Sequence, residues 1–565
     1  MKQLVENILK TTLCKLVTEA VLEASCLQNP IQIEVPSAKT HGDFSCNIAM
    51  ALASRLKRKP REIAELLQKN IQDSEFSIEK IEIAGPGFLN FFLSPKAYQK
   101  SLEEILKHST FLQVQVGQNQ KVLLEYVSAN PTGPMHIGHG RNAVVGDTLA
   151  RLLSKTGYQV HKEFYVNDYG VQIKTLGNSV DYYLKKIFFP SQSLDAPPEG
   201  SYQGIYLQEL VEAHAEEFKP FVGDIAKLGK AAGLHLLKKV KEDLASIDIH
   251  FDQYFSEFSL YEDDQISKVL DLLKSKGQIF EDQGAVWLKT TACGDDKDRV
   301  LKKSDGSYTY FTPDIAYHKN KFDRNFDLYI NVWGADHGGY VPRIRAALQA
   351  LGFDAAKLKV LLIQMVNLKR GAERVQMSKR SGTYVTLREV VDEVGSDATR
   401  FFFLLRSASA QLDFDLDLAQ KQSSENPVFY IQYAHARIAS ILRKGQAEGF
   451  VGDEKYFSSL ENIKLPEEFE LIQKMSEYPE MLKKAALELE PHAVAFYLMD
   501  LAKLFQAYYS KAKQDVRYKV LSENKEASSA KLSLLFALRK VLRAGFEIVG
   551  ISAPEEMHQN IESFS

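Results

Sequence analysis

The sequence predicts a multidomain α/β protein. A parallel sheet with alternating helices fills the middle, broken by a helical insertion, between an N-terminal α/β module and an all-α C-terminal part. Three observations predict it. The 565 residues exceed what one hydrophobic core organises, so several domains are expected. Between residues 115 and 405, short β-branched runs alternate with helix-length segments, the pattern of a parallel sheet. Beyond residue 406, long segments of helical period take over.

The elements follow in order. Residues 1–110 open with an amphipathic helix, then a strand at 31–35. The segment 41–50 leads into a helix ending before Pro60, and 81–92 reads as strand, Gly-Pro-Gly turn, strand. No catalytic constellation stands there, so this module is expected to be a binding accessory. In the middle part, strands are expected at 122–127 and 159–166. The stretch from about 175 to 300 reads as a helix-rich insertion. Alternation resumes with strand 327–332, helix 343–350 and strand 360–366. Helices are expected at 427–444, 467–489, 492–513 and 531–549, then a weakly structured tail of fifteen residues.

Lysine plus arginine (70) nearly balance aspartate plus glutamate (73), so total charge does not point to nucleic acid. Local clusters at 55–61 and 503–543 are basic, each as readily a solvated helix face as a phosphate contact. No apolar run approaches the ~20 residues of a membrane span, and the amphipathic N-terminal helix, which carries acidic residues, is unlike a signal peptide. Four scattered cysteines without a CxxC suit a reducing cytoplasm. Neither they nor any HExxH supply a zinc set, so no metal is expected.

Chemistry concentrates in SANPTGPMHIGHGR, residues 128–141, placed between a strand and a helix. That order puts His136 and His139 at a helix N-terminus, where unpaired N–H groups and the dipole favour phosphate. Gly138 leaves the backbone open to close approach. A metal pair or an ordinary helix cap are the alternatives for these histidines. A second basic loop, residues 374–383, follows the run 360–366. Its Ser378, Lys379, Arg380 and Ser381 could wrap a polyphosphate.

Together the two segments resemble the HIGH and KMSKS signatures of class I aminoacyl-tRNA synthetases, a Rossmann-type fold. Gln376 stands where the second signature has its first lysine, so only Lys379 carries over. Further segments narrow the resemblance: EYVSANPTGP, residues 307–317 with Tyr310 and Asp314, 333–340 with Asp336 and His337, and 426–437. Over nearly the whole chain these resemble arginyl-tRNA synthetases of the bacterial type.

That resemblance implies ATP-dependent attachment of arginine to its tRNA through an arginyl-adenylate, with transfer to the terminal 2′-hydroxyl. It implies His136, Gly138, His139, Met377, Ser378 and Lys379 at ATP, with both histidines and Lys379 stabilising the transition state. It places Glu125, Ser128, Asn130, His139, Tyr310 and Asp314 at arginine, and Asp336 and His337 in the same pocket. A guanidinium carries five donors in a plane and needs a carboxylate with aromatic partners. Tyr310 and Asp314, one helical turn apart, could present both, although a half-buried tyrosine and a helix-start aspartate are the plainer readings. Mg2+ is expected on ATP, zinc is not, and a cytoplasmic monomer is expected. The resemblance assigns anticodon reading to residues 406–565 and outer-corner tRNA contacts to 1–110. Tyr433, Tyr508 and Tyr509 fit stacking platforms, though core positions are commoner for such residues. A synthetase for another amino acid, a regulatory paralogue without charging activity and a small-molecule adenylyltransferase are the competing readings.

Overall fold

The first hundred residues fold around a four-stranded antiparallel sheet, in a computed structural model that describes residues 1–72, 77–192, 196–375, 385–450 and 457–557. Strands β1 (Ile33–Glu34), β2 (Phe44–Cys46), β3 (Ile78–Ala84) and β4 (Phe88–Leu93) lie in the order β1–β2–β4–β3. Helices α1 (Lys2–Thr18), α2 (Ile48–Leu56) and α3 (Pro60–Asn70) cover it. α1 buries Val5, Leu9, Leu13 and Leu16, the one-sided spacing that makes a helix amphipathic. The β3–β4 turn needs Gly87: its φ is 149°, and a Cβ there would come within 2.9 Å of the Pro60 carbonyl. Helix α4 (Pro95–Lys107) leaves this module for the C-terminal helices. Tyr98 packs on Phe469, ring centroids 4.6 Å apart, and Lys540 donates to the Ile105 carbonyl at 3.0 Å.

The middle part is a five-stranded parallel sheet. Its strands are β5 (Lys121–Glu125), β6 (Gln159–Val166), β7 (Gln253–Ser256), β11 (Leu328–Gly334) and β12 (Leu358–Ile363), ordered β12–β11–β5–β6–β7. Helix α5 (Ile137–Lys155) follows β5. After β6 the chain runs through α6 (Val171–Phe188), α7 (Ile205–Ala213), α8 (Ala215–Phe218) and α9 (Ile225–Ala245) before returning as β7. Strand direction reverses its walk between β5 and β11, and a crevice at such a switch point is where open sheets bind ligands. After β7 come α10 (Phe258–Glu262), α11 (Gln265–Ser275) and a small antiparallel sheet of β8 (Ile279–Asp282), β9 (Ala285–Leu288) and β10 (Arg299–Lys302). Helices α12 (Phe311–Asp323) and α13 (Val341–Leu351) flank β11.

The structure departs from the expected insertion. Helices α6 to α9 dominate its first part, but β7 belongs to the main sheet, with Glu163 opposite Gln253. Four strand residues between strongly periodic helices carry too little pattern to be read. The expected strand at 360–366 also divides. β12 ends at Ile363, and β13 (Val366–Arg370) pairs with β14 (Glu373–Arg374) and β15 (Leu412–Asp415) instead. Because β15 runs parallel to β13, the chain past residue 406 still serves the catalytic part, followed there by α16 (Leu416–Gln420). Helices α14 (Leu387–Val394) and α15 (Ser396–Phe403) complete it.

The C-terminal part is helical: α17 (Pro427–Ala447), α18 (Pro466–Ser476), α19 (Tyr478–Glu488), α20 (His492–Ser510) and α21 (Lys525–Val549). The expected helix 467–489 is two, because Pro479 cannot donate and restarts a helix instead. α21 begins six residues before the expected 531, where the Asn524 side chain caps the Ala527 N–H at 3.0 Å. The described end of the chain is anchored: Gln432 donates to the Ser552 carbonyl (3.0 Å), and His435 Nδ1 meets that of Pro554 (2.9 Å). Buried Arg400 fastens this part to the sheet, donating to Val549 O (2.9 Å), Ile247 O (2.7 Å) and Asp147 Oδ2 (2.7 Å) on α5.

Candidate active site

The site begins where β5 ends. Val127 and Ser128 take left-handed conformations, φ 66° and 44°. A β-branched residue there costs about 1–3 kcal/mol and persists only when its surroundings hold it. Asn142 on α5 does the holding: its carbonyl oxygen accepts from Val127 N (2.7 Å) while its amide donates to Val332 O on β11 (3.0 Å). The reversal folds Ser128 back, so its hydroxyl donates to Glu125 Oε1 (2.9 Å) and accepts from Tyr165 N (3.1 Å).

The turn then enters α5 through His136. Its Nδ1 accepts from Gly138 N (3.1 Å) and His139 N (3.4 Å), and His139 Nδ1 accepts from His136 N (3.4 Å). The rings stack, centroids 3.7 Å apart. Each neutral ring that accepts at Nδ1 carries its proton on Nε2, so both are set as Nε2–H donors. The expectation of open helix N–H groups is thereby corrected: two of them are turned onto the His136 ring. Gly138 also has a different reason, since a Cβ there would stand 3.0 Å from His136 Cε1. Thr386 forms a β-bridge to His136, and Leu387 N donates to Met135 O (2.8 Å). The chain on the far side of the second basic loop therefore lies against the histidines. Met377, Ser378 and Lys379 fall outside the described residues.

Beside this corner lies a pocket walled by phenols. Asp314, in the first turn of α12, accepts from the Tyr340 hydroxyl at 2.5 Å. Burial pushes its carboxyl up to about 7; the Tyr340 hydrogen bond and Lys321 oppose that, and the Glu125 charge adds to it. Glu257, directly after β7, is raised to about 7 as well, by burial and then by Asp314. The Asn167 amide, in the orientation its partners require, donates to Glu257 Oε2 at 3.0 Å. Below them the charges are paired. Buried Lys321 binds Glu125 and donates to Asn331 Oδ1 (2.8 Å). Glu163 receives Tyr317 OH (2.7 Å) and Arg324 through two nitrogens (2.6 and 2.9 Å). His318 Nε2 meets the Asn331 amide at 3.0 Å, and burial holds it neutral, down to about 3. The floor is thus neutralised, while among the described residues neither Asp314 nor Glu257 enters an ion pair, and the Asp314 charge raises Glu257.

The sequence-predicted residues scatter around this pocket. Glu125, Ser128 and Asp314 are inside it. Glu125 is engaged by Lys321 and Ser128 rather than open to a ligand. Asn130 is exposed. Tyr310 caps α12 with 71% of its surface in solvent, so Tyr340 supplies the phenol at Asp314 that Tyr310 was expected to supply. Asp336 and His337 sit exposed on the turn Ala335–Tyr340, 3.6 Å apart. Sequence reasoning missed Glu257, Tyr340, Tyr165 and Tyr317. The only trace of Glu257 was an acidic residue ending a very short strand.

Comparison with known proteins matches residues 3–93 to the family described as "Arginyl tRNA synthetase N terminal domain". Residues 101–403 match "tRNA synthetases class I (R), catalytic domain", and 431–557 "DALR anticodon binding domain". Arginine–tRNA ligase of Desulfosudis oleivorans is 44% identical over 569 residues, covering 99% of this chain and 100% of its own. That of Syntrophotalea carbinolica is 44% identical over 93% of this chain and 95% of its own. Among solved structures, a Campylobacter jejuni protein assigned as an arginyl-tRNA synthetase is 35% identical, with TM-score 0.72 over 82% of this chain and 99% of its own. The Thermus thermophilus arginyl-tRNA synthetase shares the fold, with TM-score 0.76 at 24% identity over 99% and 100% of the two chains.

Proposed function

The chain belongs to the arginyl-tRNA synthetase family, and from that premise we propose how its own residues divide the reaction. The enzyme uses ATP to attach L-arginine to its tRNA. In our reading Asp314 and Glu257 flank the guanidinium, and Tyr165, Tyr317 and Tyr340 wall it. Glu125 is a positioning residue that holds Lys321 and Ser128. Ser128, Asn130 and His139 face the amino and carboxylate end, while Tyr310, Asp336 and His337 line the mouth.

The arginine carboxylate then attacks the α-phosphate of ATP; pyrophosphate leaves, and the tRNA 2′-hydroxyl displaces AMP from the adenylate. None of this needs a covalent enzyme intermediate. Gly138 and the Nε2–H groups of His136 and His139 receive the phosphates, where preorganised donors stabilise developing charge. Met377 and Ser378 contribute to ATP binding, and Lys379 meets the departing pyrophosphate. Mg2+ enters on the phosphate oxygens, which supply the hard ligands it prefers. Zinc has no part in the reaction. Residues 1–110 serve the outer corner of the tRNA and the C-terminal helices its anticodon. Tyr508, buried with its hydroxyl 3.2 Å from Glu468, belongs to the core there, and Tyr433 is likewise buried. No helix among the described residues is long and apolar enough to cross a membrane. We place the protein in the cytoplasm as a monomer, supported by four free thiols and by the N-terminal module packing on the C-terminal helices of the same chain.

One observation carries this reading: two carboxyls, buried Glu257 and half-buried Asp314, lie among the phenols of Tyr165 and Tyr340, and desolvation raises both to about 7. A planar cation is the ligand such a pair lacks. Glu257→Gln tests it. Arginine KM is expected to rise about a hundredfold, with kcat within a few-fold, since removing one partner of a buried charge pair costs about 2–5 kcal/mol. An unchanged KM would remove Glu257 from the pocket.

A further inference from the structure

The helical insertion carries a cluster that the reaction does not use. His214 stands between α7 and α8, Glu217 within α8, and His235 on α9. His214 Nδ1 lies 3.3 Å from Glu217 Oε2, and His235 Nε2 lies 2.9 Å from Glu217 Oε1. One ligand atom from each residue falls within 4.8 Å of both others. The imidazoles lie with centroids 3.7 Å apart, tilted by 32°, against the buried ring of Phe218.

We propose that His214, Glu217 and His235 form a binding site for a divalent transition metal of the zinc class. Bonds of ~2.0–2.2 Å in a tetrahedron put neighbouring ligand atoms ~3.3–3.5 Å apart. Taken at the one oxygen Glu217 Oε2, the two histidine–glutamate edges, 3.3 and 3.1 Å, are already near that length, and the histidine–histidine edge is within 4.8 Å, so side-chain shifts complete the set. Two imidazoles and one carboxylate select zinc, cobalt or nickel over magnesium or calcium, which take oxygen. The fourth position opens to solvent, because Glu217 has half its side chain exposed. Cysteine spacing and HExxH could not reveal this set, whose members come from separate helices.

The metal would clamp the two helices that support the catalytic turn. At the start of α7, Tyr206 donates to the Thr132 carbonyl at 2.9 Å. On α9, two residues before His235, Gly233 lies beside the same turn: a Cβ there would sit in van der Waals contact with the Pro131 carbonyl, at 3.8 Å. Residues 131–132 lead directly into His136.

The test uses the full chain, freed of metal by chelation and titrated with Co2+. One Co2+ per chain with the visible absorption of four-coordinate cobalt is expected, together with a raised thermal midpoint. His235→Gln and His214→Gln should each weaken that binding at least about tenfold, leaving the metal-free thermal midpoint near that of the parent. If the parent binds no Co2+, or both variants bind it like the parent, the proposal is wrong. If either variant loses the metal-free fold, Glu217→Gln, which removes only the charge of an exposed ligand, decides in the same way.

Discussion

The two ends of the proposed active site are built on opposite principles. At the histidine corner the donors are local: His136 and His139 lie within one helical turn, and each ring is oriented by backbone N–H groups beside it. At the phenol pocket, the working groups come from β7, α12 and the turn before α13, far apart in the chain. The corner holds two imidazoles oriented by backbone N–H groups before any ligand arrives. The pocket holds two carboxyls raised to about 7 chiefly by burial, with the Glu125 charge adding at Asp314 and the Asp314 charge adding at Glu257. A locally built, neutral group suits charge that appears only in the transition state. A pocket assembled from three elements suits a ligand whose charge is present from the start. One end should therefore govern kcat and the other arginine affinity.

That division can be broken by variants at either end. Asp314→Asn should have the largest effect, raising arginine KM about a thousandfold, because it also leaves the Tyr340 hydroxyl without its charged acceptor. Steady-state charging kinetics check it, and a kcat loss at constant KM would erase the distinction. His136→Asn comes next. Asparagine keeps an N-cap acceptor for the Gly138 N–H, so helix α5 stays capped while the imidazole donor is lost. About a hundredfold loss of kcat with nearly constant arginine KM is expected in ATP–pyrophosphate exchange.

The smallest effect is one of pH. A cation binds the ionised carboxyls, whose values in the free protein are raised to about 7. With both carboxyls ionised in the complex, arginine should therefore bind about tenfold more weakly at pH 6.5 than at pH 8. The sign for stability is the reverse. The unfolded chain releases these protons near pH 4 and the folded one near 7. These groups' contribution is therefore most favourable at low pH and falls as pH rises through that window. The pair titrates as a unit, so one broad transition is expected.

The same contrast explains what could be read from the sequence. The start of α5, strand Gln159–Val166 and most of the helices have periodic or capping patterns within a few residues, and the structure places them close to expectation. The histidine corner was legible for that reason. Glu257 was not, because β7 spans four residues and gains its place only by pairing with β6. Tyr340 was not, because it reaches Asp314 across twenty-six residues of chain. Tyr310 was chosen on helical spacing, but as the capping residue of α12 it turns to solvent. The division of 467–489 into α18 and α19 was visible in Pro479 and was outweighed by continuous apolar periodicity.

The central claim is that the carboxyl pair of Asp314 and Glu257 takes the guanidinium. Its most direct test is calorimetry of arginine binding to the tRNA-saturated enzyme at pH 7, in buffers of different ionisation enthalpy. Release of about one proton per arginine bound, cut to about half or less in Asp314→Asn, where only Glu257 still titrates, is the predicted result, since the pair in its free state retains roughly one proton at that pH. Arginine binding that releases no proton, or the same proton count in the variant, would contradict it.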